Sequence, residues 1–193
     1  QITEFSGNVA TDFVSCMKEA ETKGAKGYVF DMRGNPGGDL EIICTVLDYL
    51  LPEGPIIRVK NAAGNIVFTR DSGASCVNAP MTVLVDGNTA SAAELFTAAL
   101  RDYHKATIIG TTTFGKGTMQ HIITLSDGSG IRLSCYYYDP PYGENYHGKG
   151  ITPDIVLDQS DYYKLRPYLL NEENDIQIQA AKKELLKIIE GVN

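Results

Sequence analysis

Val83-Leu84-Val85-Asp86-Gly87-Asn88-Thr89-Ala90-Ser91-Ala92-Ala93-Glu94 joins a buried-looking strand to a helix with almost nothing between them. The apolar run from Met81 to Val85 stops at Asp86-Gly87-Asn88, a strong turn signal. Beyond the turn, Ala92, Leu95, Phe96, Ala99, Leu100 and Tyr103 recur with the 3.6-residue period of a helix. Strand, tight turn and helix in that order are the unit of an α/β fold, and here they leave Ser91 at a helix entrance. The first amides of a helix lack intrahelical acceptors and carry positive potential, which suits them to holding an oxyanion. Ser91-Ala-Ala-Glu94 also spells a capping box, in which the serine would merely close the helix end. Both readings are open on this stretch alone.

Upstream, Gln1 to Phe5 reads as a strand, and Val9, Phe13, Cys16, Met17 and Ala20 mark one helical face that closes at Lys23-Gly24. Gly27 to Met32 is a short run suited to a central strand, followed by Arg33-Gly34-Asn35-Pro36-Gly37-Gly38. A second helix carries Leu40, Ile43, Cys44, Leu47, Leu50 and Leu51 inward and stops at Pro52 and Gly54. Residues 55–60 and 66–70 flank Asn61-Ala-Ala-Gly-Asn65 as a hairpin, and 71–80 is loop.

Downstream, Thr107 to Gly110 is a further strand, and Met119 to Leu125 with Ile131 to Tyr137 forms a second hairpin around Ser126-Asp-Gly-Ser-Gly130. Ile151 to Leu157 contains Thr152-Pro153, which confines it to an edge strand or extended coil. Asp175 to Ile189 has the spacing of a last helix. The expected fold class is α/β, a mixed sheet with parallel βαβ units plus hairpins. Two loops leave strand ends for helix starts, 33–38 and 86–90, and sites in such sheets lie at the carboxyl ends of strands.

A chain of 193 residues with 43% hydrophobic and 21% charged residues supports one core, so residues 1–193 are expected to form a single domain. A net charge of -7 without a basic block argues against nucleic acid or an anionic membrane surface as partner. No apolar run approaches the roughly 18 residues of a membrane span. Cys16, Cys44, Cys76 and Cys135 include no C-x-x-C pair, against zinc or a thioredoxin-like site; Cys16 and Cys44 fall on apolar helical faces and are expected to be packing residues.

Gly110-Thr-Thr-Thr-Phe-Gly115-Lys116-Gly117-Thr118 nearly spells a phosphate-binding loop, but Gly117 stands where the motif needs a hydroxyl, and a strand follows where it needs a helix. A lysine between two glycines has another use, since glycine lets the backbone approach another element closely. To serve as a general base an amine must be uncharged, which near neutrality takes roughly 4 kcal/mol of desolvation or like-charge bias. Ser91 with Lys116 would then form a Ser/Lys dyad. Read on spacing alone, Lys116 could equally be a surface turn residue. Among the histidines, His104 lies late on the helix that Ser91 begins, too far along it to act as base, and nothing in the sequence marks a carboxylate partner for His121 or His147.

Four blocks, Asp31-Met-Arg33-Gly-Asn35-Pro36-Gly37-Gly38, Gly87-Asn-Thr-Ala-Ser91-Ala-Ala-Glu94, Gly110-x4-Gly115-Lys116-Gly117-x2-Gln120 and Gly150-Ile-Thr-Pro153-Asp154, together resemble the carboxyl-terminal processing, or tail-specific, serine proteases. The resemblance covers most of the chain. It implies a crotonase-like core, with Ser91 as nucleophile, Lys116 as general base and Gln120 orienting the lysine. It also implies an oxyanion hole built from the backbone N–H of Ala92 and of Gly37 or Gly38. A protein or peptide substrate cut near its C-terminal tail follows, with no metal or organic cofactor.

Members of that family commonly carry a PDZ domain ahead of the core. The chain is therefore expected to be a catalytic core from a longer polypeptide, acting with its own PDZ domain, in an oligomer or alone, outside the cytoplasm. A core without that domain is expected to be unregulated, with its lysine free to sit out of place. Two rival readings share the scaffold: a non-catalytic binding module like the retinoid-binding repeats, and a crotonase-like acyl-CoA enzyme. The Ser91, Lys116 and Gln120 set weighs against both.

Overall fold

The computed structural model describes residues 1–73 and 75–191. In chain order the elements are α1 (Val9–Thr22), β1 (Tyr28–Asp31), α2 (Leu40–Leu50), β2 (Gly54–Lys60), β3 (Ile66–Ser72), β4 (Met81–Val85) and α3 (Ala92–Asp102). These are followed by β5 (Ala106–Gly110), β6 (Thr118–Thr124), β7 (Gly130–Asp139), β8 (Ile155–Val156), α4 (Asp161–Lys164), a 3₁₀ turn at Pro167–Leu169 and α5 (Ile176–Glu190).

Four strands form a parallel sheet in the order β1-β4-β5-β8, and the two hairpins form an antiparallel sheet of their own, β3-β2-β7-β6. The parallel βαβ units and the hairpins are both present, but the hairpins do not extend the parallel sheet. They pair with each other instead, through Arg58↔Asp139, Val59↔Tyr138 and Lys60↔Tyr137.

Helices cover both faces of the parallel sheet, so every residue of β4 is buried and the strand reads as an unbroken apolar run. Because strand side chains alternate, Val83 and Val85 face the large cluster that holds Phe13, Phe30, Ile43, Leu47, Leu95 and Phe96. Leu84 and Ile109 face the other way, onto Ala181 of α5. The hydrophobic periods of α1, α2 and α3 therefore point at one side of the sheet, and that of α5 at the other.

Gln1 to Phe5 does not form the strand its sequence suggests; it makes one parallel bridge, Phe5↔Gly38, and its Ile2 N–H donates to Asp31 C=O. The segment is tied to the end of β1 and to the 33–38 loop without forming a strand ladder. Residues 151–157 reduce to the two-residue edge strand β8, as the Thr-Pro step requires. Cys44 is buried in α2, where burial pushes its thiol up to about 12. Cys16 is exposed, contrary to expectation, because its position on α1 turns just past the face that packs. Among the described residues no helix is long and apolar enough to cross a membrane.

Candidate active site

Ser91 sits between β4 and α3 in a backbone conformation, φ 55 and ψ -119, that side-chain-bearing residues rarely adopt. Such a conformation costs on the order of 1–3 kcal/mol and persists only where the surroundings enforce it. Here Ala90 N–H is held by Asn35 C=O at 2.9 Å, Phe114 N–H by Thr89 C=O at 3.0 Å, and Ser91 N–H by Glu94 Oε2 at 2.9 Å. The capping box is present in form, with Glu94 closing it from its own side. The rotated serine hydroxyl, however, makes no cap hydrogen bond, and the Glu94 N–H bonds the Ser91 carbonyl instead at 2.9 Å. Strain at the elbow thus releases Oγ from the helix, against the simple cap reading.

The 33–38 loop lies against this elbow. Asn35, fully buried, donates through Nδ2 to Ile2 C=O at 2.9 Å and accepts the Gly37 N–H on Oδ1 at 2.8 Å. Thr89 Oγ1 donates to Met32 C=O, and Gly34 N–H donates to Asp86 Oδ1, so each turn satisfies the other's polar groups. Gly37, at φ +105, approaches so closely that a Cβ there would lie 2.7 Å from Ser91 Cβ and 2.8 Å from both Ala90 O and Ala92 N. Its own N–H is already taken by Asn35. Among the described residues, the N–H groups of Gly38 and Ala92 have no protein acceptor, so Gly38 is the free donor of this turn and Gly37 contributes its missing side chain.

Substitution of Gly37 by alanine is therefore expected to destabilise the chain by about 1–3 kcal/mol in urea unfolding, since the added Cβ strains the backbone and displaces Ser91 and the adjoining amide. The circular dichroism spectrum should stay that of a folded chain. Stability within about 0.5 kcal/mol of the parent would mean that the turn does not press against Ser91.

Lys116 is brought to the serine by Glu94, which is fully buried on α3. Oε1 of Glu94 accepts from Thr113 Oγ1 at 2.5 Å and Gly115 N–H at 2.6 Å; Oε2 accepts from Ser91 N–H at 2.9 Å and Lys116 N–H at 2.8 Å. One carboxylate oxygen thus holds the main chains of both residues, and their nitrogens are no farther apart than the sum of those two bonds. The Lys116 amine donates to Gln120 Oε1 at 3.2 Å, and Gln120 Nε2 reaches Ser134 Oγ at 3.4 Å. In this conformation Ser91 Oγ and Lys116 Nζ do not bond each other. No carboxylate among the described residues pairs with the amine.

The histidines lie elsewhere. His121 packs on Tyr136 and His147 on Tyr137, with ring centroids 5.7 and 5.8 Å apart, and His104 follows the far end of α3. Of the three tyrosines at 136–138, Tyr138 is buried and Tyr137 exposed.

Sequence reading missed two features of this site. The first is the central place of Glu94, legible only as a cap. The second is a clamp behind the glycine turn: Arg33 pairs bidentately with Asp31, at 2.8 and 2.7 Å, donates to Gln177 Oε1 at 2.8 Å and lies 2.8 Å from Asp175 Oδ2. Burial works against the Arg33 charge, but the hydrogen bonds to Asp31 and the close Asp175 carboxylate more than offset it and hold its pKa above the usual value. Asp175 also caps α5 through Gln177 N–H and Ile178 N–H. Arg33 and Gln177 are 144 residues apart, and no local signal joins them.

A parallel sheet with a serine on a strained strand-to-helix elbow, and two free amides beside it, is in class the architecture of a serine-type peptidase. The model of peptidase family S41 matches residues 1–157, and the chain belongs to that family. It is 36% identical over 185 residues to a carboxyl-terminal-processing protease of Synechocystis sp., covering 94% of this chain and 42% of that protein. It is 40% identical over 170 residues to the carboxy-terminal processing protease CtpA of Bacillus subtilis, covering 88% of this chain and 36% of that protein. The chain thus spans less than half the length of these relatives.

Among solved structures it superposes on the photosystem II D1 C-terminal processing protease with a TM-score of 0.75 and 33% identity, over 81% of this chain and 41% of that one. An S41 protease structure from Bacteroides fragilis shares the fold, with a TM-score of 0.77 at 23% identity over 99% of this chain and 53% of that one.

Proposed function

We propose that the chain is the catalytic core of an endopeptidase that cuts proteins or peptides near their C-terminal tails through a Ser91/Lys116 dyad. The observation that carries this reading is the shared acceptor Glu94 Oε2, which holds the main-chain N–H of both residues while Ser91 Oγ makes no helix cap. The names of the relatives support the tail preference.

In the proposed reaction Ser91 Oγ attacks the scissile carbonyl carbon, and its proton passes to the uncharged Lys116 amine. The oxyanion is held by the N–H groups of Gly38 and Ala92. The lysine ammonium then gives its proton to the leaving nitrogen, the C–N bond breaks, and an acyl-enzyme ester remains on Ser91. Water attacks the ester and its proton passes to Lys116; the ester C–O bond then breaks, and the Lys116 ammonium returns the proton to Ser91 Oγ as the second product leaves. Gln120 steadies the amine, which must turn from Gln120 Oε1 towards Ser91 Oγ before the first step. A PDZ domain elsewhere in the polypeptide and an extracytoplasmic location belong to the same reading.

Labelling of the full-length protein with a fluorophosphonate tests it. The reading expects phosphonylation at Ser91, none in Ser91→Ala, and labelling slowed at least about 100-fold in Lys116→Ala, because the hydroxyl then lacks its base. A label on another residue, or equal labelling of Lys116→Ala, would reject the dyad.

A further inference from the structure

Two buried phenols adjoin Ser91 and Lys116 and have no part in the reaction set out above. Tyr138 on β7 and Tyr146 in the loop beyond it are each 4% exposed, and their rings meet edge to face with centroids 5.9 Å apart. The Tyr138 hydroxyl donates to Lys116 C=O at 2.8 Å; that of Tyr146 donates to the Tyr138 oxygen at 3.1 Å and lies 3.5 Å from Ser91 C=O.

A phenol has one proton to give. Tyr138 gives its proton to Lys116, so its oxygen is left to accept from Tyr146. Tyr146 can give its own to Tyr138 or, at the longer distance, to the Ser91 carbonyl. Phenylalanine would fill nearly the same space in each position without a hydroxyl to satisfy, and burying a hydroxyl is costly unless it is hydrogen-bonded. Both phenols titrate above their ordinary range, chiefly because of burial. For Tyr138 the Tyr146 phenol and the Ser91 hydroxyl act in the opposite sense, and the Glu94 carboxylate adds to the rise. Both groups therefore stay protonated as donors.

Glu94 grips the N–H groups of Ser91 and Lys116, and the phenols face the carbonyls of the same two residues. The Lys116 segment is thus held on both sides, by Glu94 at its N–H and by Tyr138 at its C=O, and the Cα–Cβ direction of Lys116 is fixed with it; Tyr146, whose one proton goes to Tyr138, only adjoins the Ser91 carbonyl. We propose that Tyr138 and Tyr146 are positioning residues of the reaction, a two-hydroxyl relay in which Tyr146 orients Tyr138 and Tyr138 holds the lysine carbonyl beside the serine, and so aims the amine. The proposal rests on the reading of Ser91 and Lys116 as nucleophile and base.

The test measures kcat and KM for peptide cleavage by the full-length protein carrying Tyr138→Phe, Tyr146→Phe or both, with Ser91→Ala alongside and a thermal melt of each. Misplacing a reacting group by about 1 Å costs on the order of 100-fold, and a smaller drift costs less. Tyr138→Phe is expected to lower kcat about tenfold with KM unchanged within about twofold, and Tyr146→Phe to lower kcat about threefold. The double variant should match Tyr138→Phe alone, because Tyr146 acts through Tyr138.

Unchanged kcat in Tyr138→Phe, a loss confined to KM, or effects that multiply in the double variant would each overturn the relay. If Tyr138→Phe does not fold, Tyr146→Phe decides by the same split between kcat and KM. An active Ser91→Ala would sink the dyad and the relay with it; an inactive Ser91→Ala beside fully active tyrosine variants would sink the relay alone.

Discussion

Ser91→Ala is expected to abolish the proposed peptide cleavage by the full-length protein, and adding Lys116→Ala to it is expected to cost nothing further. Groups that act as one unit in covalent catalysis lose their value together, and removal of a serine nucleophile from a peptidase lowers kcat by about a millionfold. Lys116 has no proton to accept once Oγ is gone, so the double variant should sit on the same residual rate. The measurement is kcat/KM of the two single variants and the double. A second loss on top of Ser91→Ala would mean that the lysine serves something other than the serine. The same position reports on strain: at φ 55 glycine is at ease where alanine is not, so Ser91→Gly should be more stable than Ser91→Ala by about 1 kcal/mol in urea unfolding.

Replacement of Glu94 is expected to give the largest loss of stability in the site together with a loss of activity. Its two oxygens receive four donors in a place with no solvent to substitute. In Glu94→Gln one oxygen becomes an amide nitrogen that faces donors, leaving a pair of them unmet, and each unmet buried group costs about 1–3 kcal/mol. A destabilisation of about 2–5 kcal/mol follows, and Ser91 and Lys116 lose their common anchor if the amide falls on the Oε2 side. Thr113→Val removes one of the four donors and also leaves the buried Ile151 N–H, which donates to Thr113 Oγ1 at 2.8 Å, without its acceptor, so it should cost about 1–3 kcal/mol. Urea unfolding and peptide turnover check both variants; Glu94→Gln within 1 kcal/mol of the parent and fully active would refute the anchor.

Much of the scaffold was legible in the chain because the relevant forces are local. The 3.6-residue periods of α1, α2, α3 and α5, the apolar run of β4 and the turn residues at 86–88 each specify their element without help from distant residues. The four blocks that resemble the tail-specific proteases drew attention to Ser91, Lys116 and Gln120. Where sequence reading failed, a local preference lost to a distant partner. Gln1 to Phe5 has strand-forming residues but is held by Asp31 at the end of β1 and by Asn35, Gly37 and Gly38 in the loop, and so forms no strand of the sheet.

The sequence by itself determined the strand-turn-helix unit, the placing of Ser91 at a helix entrance and the glycines that allow two loops to touch, since each depends on residues within a turn or two of one another. Tertiary structure alone decided that the serine hydroxyl is released from capping, that Gly38 rather than Gly37 keeps a free amide, and that one carboxylate oxygen serves both Ser91 and Lys116. Each of those outcomes depends on which distant group takes a given hydrogen bond. Only the packed chain settles that, by bringing Asn35 to Ala90 and Glu94 to the loop beyond β5.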